Sequence, residues 1–212
     1  MTNEKRLYLR RLKSGKFINR KVCKACGGQC CKAASCMLMP YDIDPYTSNQ
    51  IISLINKELL SIEVFFKPGK TIPYLAIREK GHDVFSILTS HSTCSMLGEN
   101  GCKLSPGERP LGALAMIPSA KSFPDCASTI PISEIVSAWD APENACIMLE
   151  VIRHYSPEKA IENIVFEKFQ QFEDELLSNT CRLNKTDKYL VYQSGMVLGY
   201  KFKKNVRDLV FM

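Results

Sequence analysis

The chain has a single tryptophan and three histidines, and no apolar run long enough to cross a bilayer. The longest such run, Leu111 to Ile117, is about a third of the roughly 20 residues a membrane helix needs. The N-terminus runs from Met1 straight into Lys and Arg without the apolar core of a secretory signal. A reducing cytoplasm and no membrane association are therefore expected. No hydrolytic triad, phosphate-cradling loop or dinucleotide fingerprint appears, because Ser92 and Ser95 lack a motif context and Gly27-Gly28 does not follow a predicted strand. The cysteine spacing of radical adenosylmethionine enzymes is missing as well. The composition, 45% hydrophobic and 24% charged, excludes wholesale disorder and fits a folded chain with its own core.

Cysteine is what the chain has in quantity, ten in 212 residues. Four fall within nine residues, Cys23-x2-Cys26-x3-Cys30-Cys31, with Gly27 and Gly28 inside the spacing. Glycines let the backbone fold back so that several sulfurs can face one ion, whereas a disulfide framework needs partners spread along the chain. Lys24, Gln29 and Lys32 are interleaved, so the group does not read as buried apolar packing. Cys94 and Cys102 supply a second pair around the turn Gly98-Glu99-Asn100-Gly101. The expected metal ligands are Cys23, Cys26, Cys30, Cys31, Cys94 and Cys102, with Cys36 and Cys126 in reserve. Six or more thiols exceed the four that one tetrahedral zinc or one iron-sulfur cluster takes, and spacing does not choose between them. Adjacent side chains diverge in extended backbone, so one of Cys30 and Cys31 is expected to be structural. Cys146, on a helix expected to face the core, and Cys181, past a helix end, are not expected to ligate.

The knuckle with Gly27 and Gly28, followed by Cys94-x2-Leu97, Gly101-Cys102 and Arg109-Pro110, resembles the YkgJ-like CxxCxxCC family of zinc- or iron-chelating proteins. The resemblance spans about residues 23 to 118 and implies a zinc ion or an iron-sulfur cluster as cofactor. A more distant relative, the flagellin lysine N-methylase, carries the same kind of cysteine cluster, which implies an iron-sulfur-dependent protein-modifying enzyme as an alternative activity. Two departures stand out. The gap Gly27-Gly28-Gln29 is one residue longer than the most compact family form, and Ala113-Leu114 stands where the family places a cysteine followed by Arg. Either Cys36, His91 or Cys126 replaces the missing ligand, or the site is narrower here. His91 also reads as a hairpin-end histidine in water, His82 as a turn residue, and His154 as favoured by a helix C-terminus. Arg109 reads either as a donor to cluster sulfurs or an anion, or as part of a salt bridge.

Charge is unevenly spread. Residues 1 to 32 carry ten Lys or Arg against one Glu, residues 33 to 181 eleven against nineteen acids, and residues 182 to 212 seven against two. A basic arm over residues 1 to 19 could meet nucleic acid or an acidic partner protein, although a solvated terminus explains it better.

The expected fold is α+β: an irregular cysteine-rich metal-binding lobe with a short hairpin, residues 20 to 130, packed on a helical part, residues 131 to 212, in one globular unit. Asp44-Pro45 is expected to open a helix carrying Ile51, Ile52, Ile55 and Leu59, with Asp42 in a turn. Three β-prone runs follow, Glu63 to Phe66, Pro73 to Arg78 and Val84 to Thr89, the last two forming the hairpin. Five prolines between Leu104 and Ser133 exclude a long element there. Asp140-Ala141-Pro142 opens a helix through about His154, and Ser156-Pro157-Glu158 a longer one with Ile161, Ile164, Val165, Phe169, Phe172 and Leu176 on one face, ended by Asn179. Residues 188 to 202 read as a hairpin turning at Ser194-Gly195 or as a glycine-broken helix. A metal in such a lobe can contribute on the order of 10 kcal/mol to folding.

Overall fold

The computed structural model describes residues 28, 31–32, 35–67, 70–86, 93–99, 101–105, 107–117, 127–128, 130–178 and 198–203. The expected arm over 1–19, most of the 188–202 element, and the helix end at Asn179 lie outside the described residues. What is described is α+β, with small antiparallel sheets and helices.

The centre of the fold is a hairpin of β1 (Leu60–Lys67) and β2 (Lys70–Ile77), in register from Leu60 opposite Ile77 to Lys67 opposite Lys70. Both faces of β1 are buried over its first five residues, which explains a nearly continuous run rather than a polar alternation. The hairpin thus joins the first two predicted β runs, not the second and third. The described part of the third run, residues 84–86, lies on the far side of β1. There it pairs in parallel, with the Ile62 N–H donating to Val84 O at 2.7 Å and the Ser86 N–H to Ile62 O at 2.9 Å. Lys80-Gly81-His82-Asp83 is therefore part of a crossover rather than a hairpin turn. On the other edge, residues 36–38 run antiparallel to β2 through Leu38 N–H to Leu75 O and Ile77 N–H to Cys36 O, both 2.9 Å. Four extended segments therefore lie side by side, with the order 84–86, β1, β2, 36–38.

Helix α1 (Ser48–Asn56) buries Ile51 and Ile55, two of the residues whose spacing announced it. It starts later than expected. Thr47, not Asp44, is the N-cap, and its hydroxyl accepts the Gln50 N–H at 3.3 Å, which satisfies a donor the helix itself leaves unpaired.

After β3 (Leu97–Gly98) and β4 (Gly101–Cys102), the proline-rich stretch holds only the single turn α2 (Leu111–Leu114) and the paired strands β5 (Met116–Ile117) and β6 (Ala127–Ser128) among the described residues. Helix α3 (Ile132–Asp140) begins at the end of that stretch and buries Ile135, Val136 and Trp139. Trp139 is fully enclosed, and its indole N–H donates to Leu38 O at 2.8 Å, tying α3 to the sheet's edge segment. Helix α4 (Pro142–Tyr155) starts with Pro at its first position and packs on α1, α3 and β2. One apolar cluster runs from Leu38 through Trp139 to Ile164, so both halves of the chain contribute to the same core.

Helix α5 (Ile161–Leu177) buries Ile164, Val165, Phe169 and Phe172, as its periodicity predicts; the Leu176 side chain lies outside the description. Val165, Phe169 and Phe172 enclose Val64 together with Phe202 in a second, smaller cluster. The returning segment 198–203 is held there by the buried Glu173, which accepts the Tyr200 hydroxyl at 2.9 Å and the Lys203 backbone N–H. Among the described residues no helix is long and apolar enough to cross a membrane.

Candidate metal centre

The cysteine segments meet where β2 runs out. Past Ile77 the chain stays extended: Arg78 turns its guanidinium inward, with Nε donating to Leu60 O at 3.0 Å and Nη2 to Ile55 O at 2.9 Å, and this fixes the direction of the strand's continuation. Residues 93–95 then pair antiparallel with 78–80, through Lys80 N–H to Thr93 O at 2.8 Å and Ser95 N–H to Arg78 O at 3.0 Å, placing Cys94 opposite Glu79. The other side of Cys94 faces the first cysteine group, because its own N–H donates to Cys31 O at 2.8 Å. Two thiol-bearing segments far apart in sequence are thereby made neighbours by the backbone.

Immediately after Cys94 the chain turns, with the Leu97 N–H donating to Cys94 O at 3.0 Å, and the Cys94 sulfur accepts the backbone N–H groups of Met96 and Leu97. Strands β3 and β4 then return Cys102 to a position opposite Leu97, over a turn in which Gly101 adopts φ of 101°, a conformation that favours glycine. This is the return that the glycines flanking Glu99-Asn100 predict. Gly28, at φ 73°, lies so close to Leu97 that an added Cβ would come within 3.3 Å of the Leu97 side chain. Gly28 therefore lies directly against this small hairpin at Leu97.

Cys94 is 6% exposed, while Cys31 and Cys102 are half-buried, and none of the three is in a disulfide. Burial pushes the Cys94 thiol up from its ordinary value. The two backbone N–H groups oppose that shift, and charge on Cys102 and on Glu79 adds to it. A sulfur whose thiol is pushed up by burial is a poor nucleophile by itself; a cation would stabilise its thiolate. The donor set is soft and fits zinc or an iron-sulfur cluster better than a hard cation.

Of the six expected ligands, Cys31, Cys94 and Cys102 are described; Cys23, Cys26 and Cys30 lie outside the described residues, as do Cys126, Cys181 and His91. Among the described residues no group of three or more His, Cys, Asp or Glu side chains converges in a way that could hold an ion. Cys36 sits against the segment that bears Ala113. Its thiol donates to Met37 O at 3.3 Å, and a Cβ built on Gly112 would fall 3.0 Å from its sulfur. Cys146 does not face the core as expected: it is exposed on α4, whose inward face carries Met148, Val151 and Ile152. Arg109 donates from Nε to Leu104 O at 3.2 Å, and Glu108 accepts the Ser105 N–H at 2.9 Å, so both close the loop over 104–109. His154 stands in the last turn of α4, edge-on to Tyr155.

Three buried acids were missed by the sequence reading: Glu173, described above, Glu79 and Glu63. Glu79 is 2% exposed; its Oε1 accepts the Ser35 N–H at 3.0 Å, and its Oε2 lies 3.5 Å from His82 Nε2. Burial holds His82 below its ordinary value. Glu63, also buried, accepts the Tyr74 hydroxyl at 2.5 Å. Glu63 opens a β-prone run, where a lone acid reads as solvent-facing, and Glu79 directly follows the end of another at Arg78; only the apolar residues on either side of Glu63 hinted that its strand is covered on both faces. No family model, curated protein or solved structure matches the chain.

Proposed function

We propose that the chain is a metal-binding protein that chelates zinc or an iron-sulfur cluster through clustered cysteines, in the manner implied by its resemblance to the YkgJ-like CxxCxxCC family. The observation that carries this reading is Cys94: its N–H is bonded to Cys31, its sulfur accepts two backbone N–H groups, and Cys102 returns beside it. Backbone donors aimed at a buried sulfur favour the thiolate that a metal needs. Cys94, Cys102 and the first group, Cys23, Cys26, Cys30 and Cys31, supply the donors, in a reducing cytoplasm that keeps them as thiols. Bound there, the centre would cross-link a region that among its described residues has only two-residue strands and single turns. The surface it organises would serve a partner protein or a small substrate.

Anaerobic purification followed by metal analysis and a visible spectrum tests the reading. Zinc at stoichiometric content without colour, or iron and sulfide with visible absorption, is the expected result. Cys94→Ser and Cys102→Ser should each lower the content severalfold, and Cys146→Ser should leave it unchanged. A colourless protein without metal after anaerobic reconstitution with zinc and with iron and sulfide would sink it.

A further inference from the structure

Glu79 touches both segments that carry the described cysteines. Its carboxylate accepts the N–H of Ser35, four residues after Cys31, and its backbone lies opposite Cys94. Few residues are less suited to simple space filling. A carboxylate at 2% exposure loses nearly all its hydration, and a leucine or methionine of similar size would fill the volume without that cost. What the carboxylate adds is a strong acceptor for the backbone donor of Ser35. The Cys31 carbonyl receives the Cys94 N–H and the Cys36 carbonyl receives the Ile77 N–H; to these backbone contacts Glu79 adds a side-chain contact at Ser35.

We propose that Glu79 is a positioning residue of the cysteine centre: through the Ser35 N–H it helps hold Cys31 in register with Cys94. The inference rests on the metal-binding reading for its consequence but not for its geometry. Its role is to accept a hydrogen bond, so an uncharged acceptor of the same shape should replace it and an apolar side chain should not.

Full-length Glu79→Gln and Glu79→Leu decide the matter through two readouts: hydrogen exchange of peptides covering residues 31–37, and the rate at which a chelator removes metal from protein loaded with zinc or with a reconstituted cluster. In Glu79→Leu both rates should rise about tenfold, the effect of losing one charge-assisted hydrogen bond. In Glu79→Gln both should stay within about threefold of wild type, because the amide oxygen still accepts the Ser35 N–H. Trp139 emission in a urea titration reports whether the global fold holds. If Glu79→Leu is globally unfolded, Ser35→Pro, which removes the donor and leaves the carboxylate, takes its place and should reproduce the fast exchange. Wild-type exchange and release in Glu79→Leu overturns the proposal. So does Glu79→Gln failing as badly as Glu79→Leu, or Ser35→Pro exchanging like wild type. A wild-type protein that binds no metal while Glu79→Leu still speeds exchange of 31–37 overturns the metal-binding reading and leaves the positioning contact standing.

Discussion

Asp42 accepts the backbone N–H of Leu111 with both carboxylate oxygens, each at 3.0 Å, and Oδ2 also takes the Met39 N–H at 2.9 Å. The 3-10 turn Pro40–Asp42 thereby fastens the edge segment 36–38 to the start of α2. Asp42→Ala leaves two backbone donors without this acceptor and should cost about 1–3 kcal/mol. Asp42→Asn keeps one acceptor oxygen and should lose roughly half as much. Urea unfolding followed by the emission of Trp139, the only tryptophan, measures both.

The same junction leaves no room at Gly112. A Cβ there would lie 2.4 Å from Met37 O and 3.0 Å from the Cys36 sulfur, and the carbonyl belongs to a strand edge bonded to β2. Gly112→Ala should therefore destabilise by about 1–3 kcal/mol as the two segments are forced apart. Gly107→Ala meets nothing within 4 Å and should stay within about 0.5 kcal/mol of wild type by the same assay.

Much of the helical part was legible because its signals are local. Pro142 and the spacing of Ile164, Val165, Phe169 and Phe172 act within a few residues of themselves, and α4 and α5 follow them closely. Helix α3 had the same kind of signal in Ile132, Ile135, Val136 and Trp139, at helical spacing behind Pro131, but the density of upstream prolines masked it. The strand pairing was misread because three β-prone runs in sequence do not declare which neighbours pair; that choice is made by which face each run buries, a property of the whole core. At the cysteine site the turn from Cys94 to Cys102 was readable from its glycines. The backbone link between Cys31 and Cys94 and the part played by Glu79 were not, since both arise from segments distant in sequence that meet at the end of β2.

Glu63 gives the folded protein a pH dependence of definite sign. Burial pushes its carboxyl up; the Tyr74 hydroxyl pulls it partly back, the charge of Glu79 pushes it further, and Ser61 again lowers it, leaving it at about 8 against an ordinary 4.5. Between those values the folded chain binds the proton more tightly than the unfolded one, so stability falls as pH rises from about 4.5 to about 8 and the loss is complete above that. The slope reaches at most about 1.4 kcal/mol per pH unit inside this window. Glu63→Gln keeps an acceptor for Tyr74 and removes the titration. Its stability relative to wild type should be larger at pH 8.5 than at pH 5.5. Urea midpoints of both proteins across that range check it, and the difference between them cancels any pH dependence of metal binding. Parallel curves would show that Glu63 ionises normally in the fold.

On the proposed metal-binding function, removal of the metal should loosen one end of the molecule and leave the rest folded. The main core, from Leu38 through β1 and β2 to Trp139 and Ile152, closes without any contribution from the sulfur of Cys102. The segments 93–99 and 101–105 bury little beyond Cys94, and their pairing is limited to the two-residue strands β3 and β4 and a few backbone contacts. Local opening is easiest where buried apolar contacts are few. Treatment with a chelator should therefore speed hydrogen exchange in peptides covering 28–36 and 93–103 by at least about tenfold, the scale expected when a cross-link worth more than about 1.4 kcal/mol locally is lost. Peptides from β1, β2 and α4 should keep their protection, and Trp139 emission should not shift. A cooperative loss of Trp139 burial on chelation would mean instead that the centre holds the whole fold together and that the hydrophobic core is not sufficient by itself.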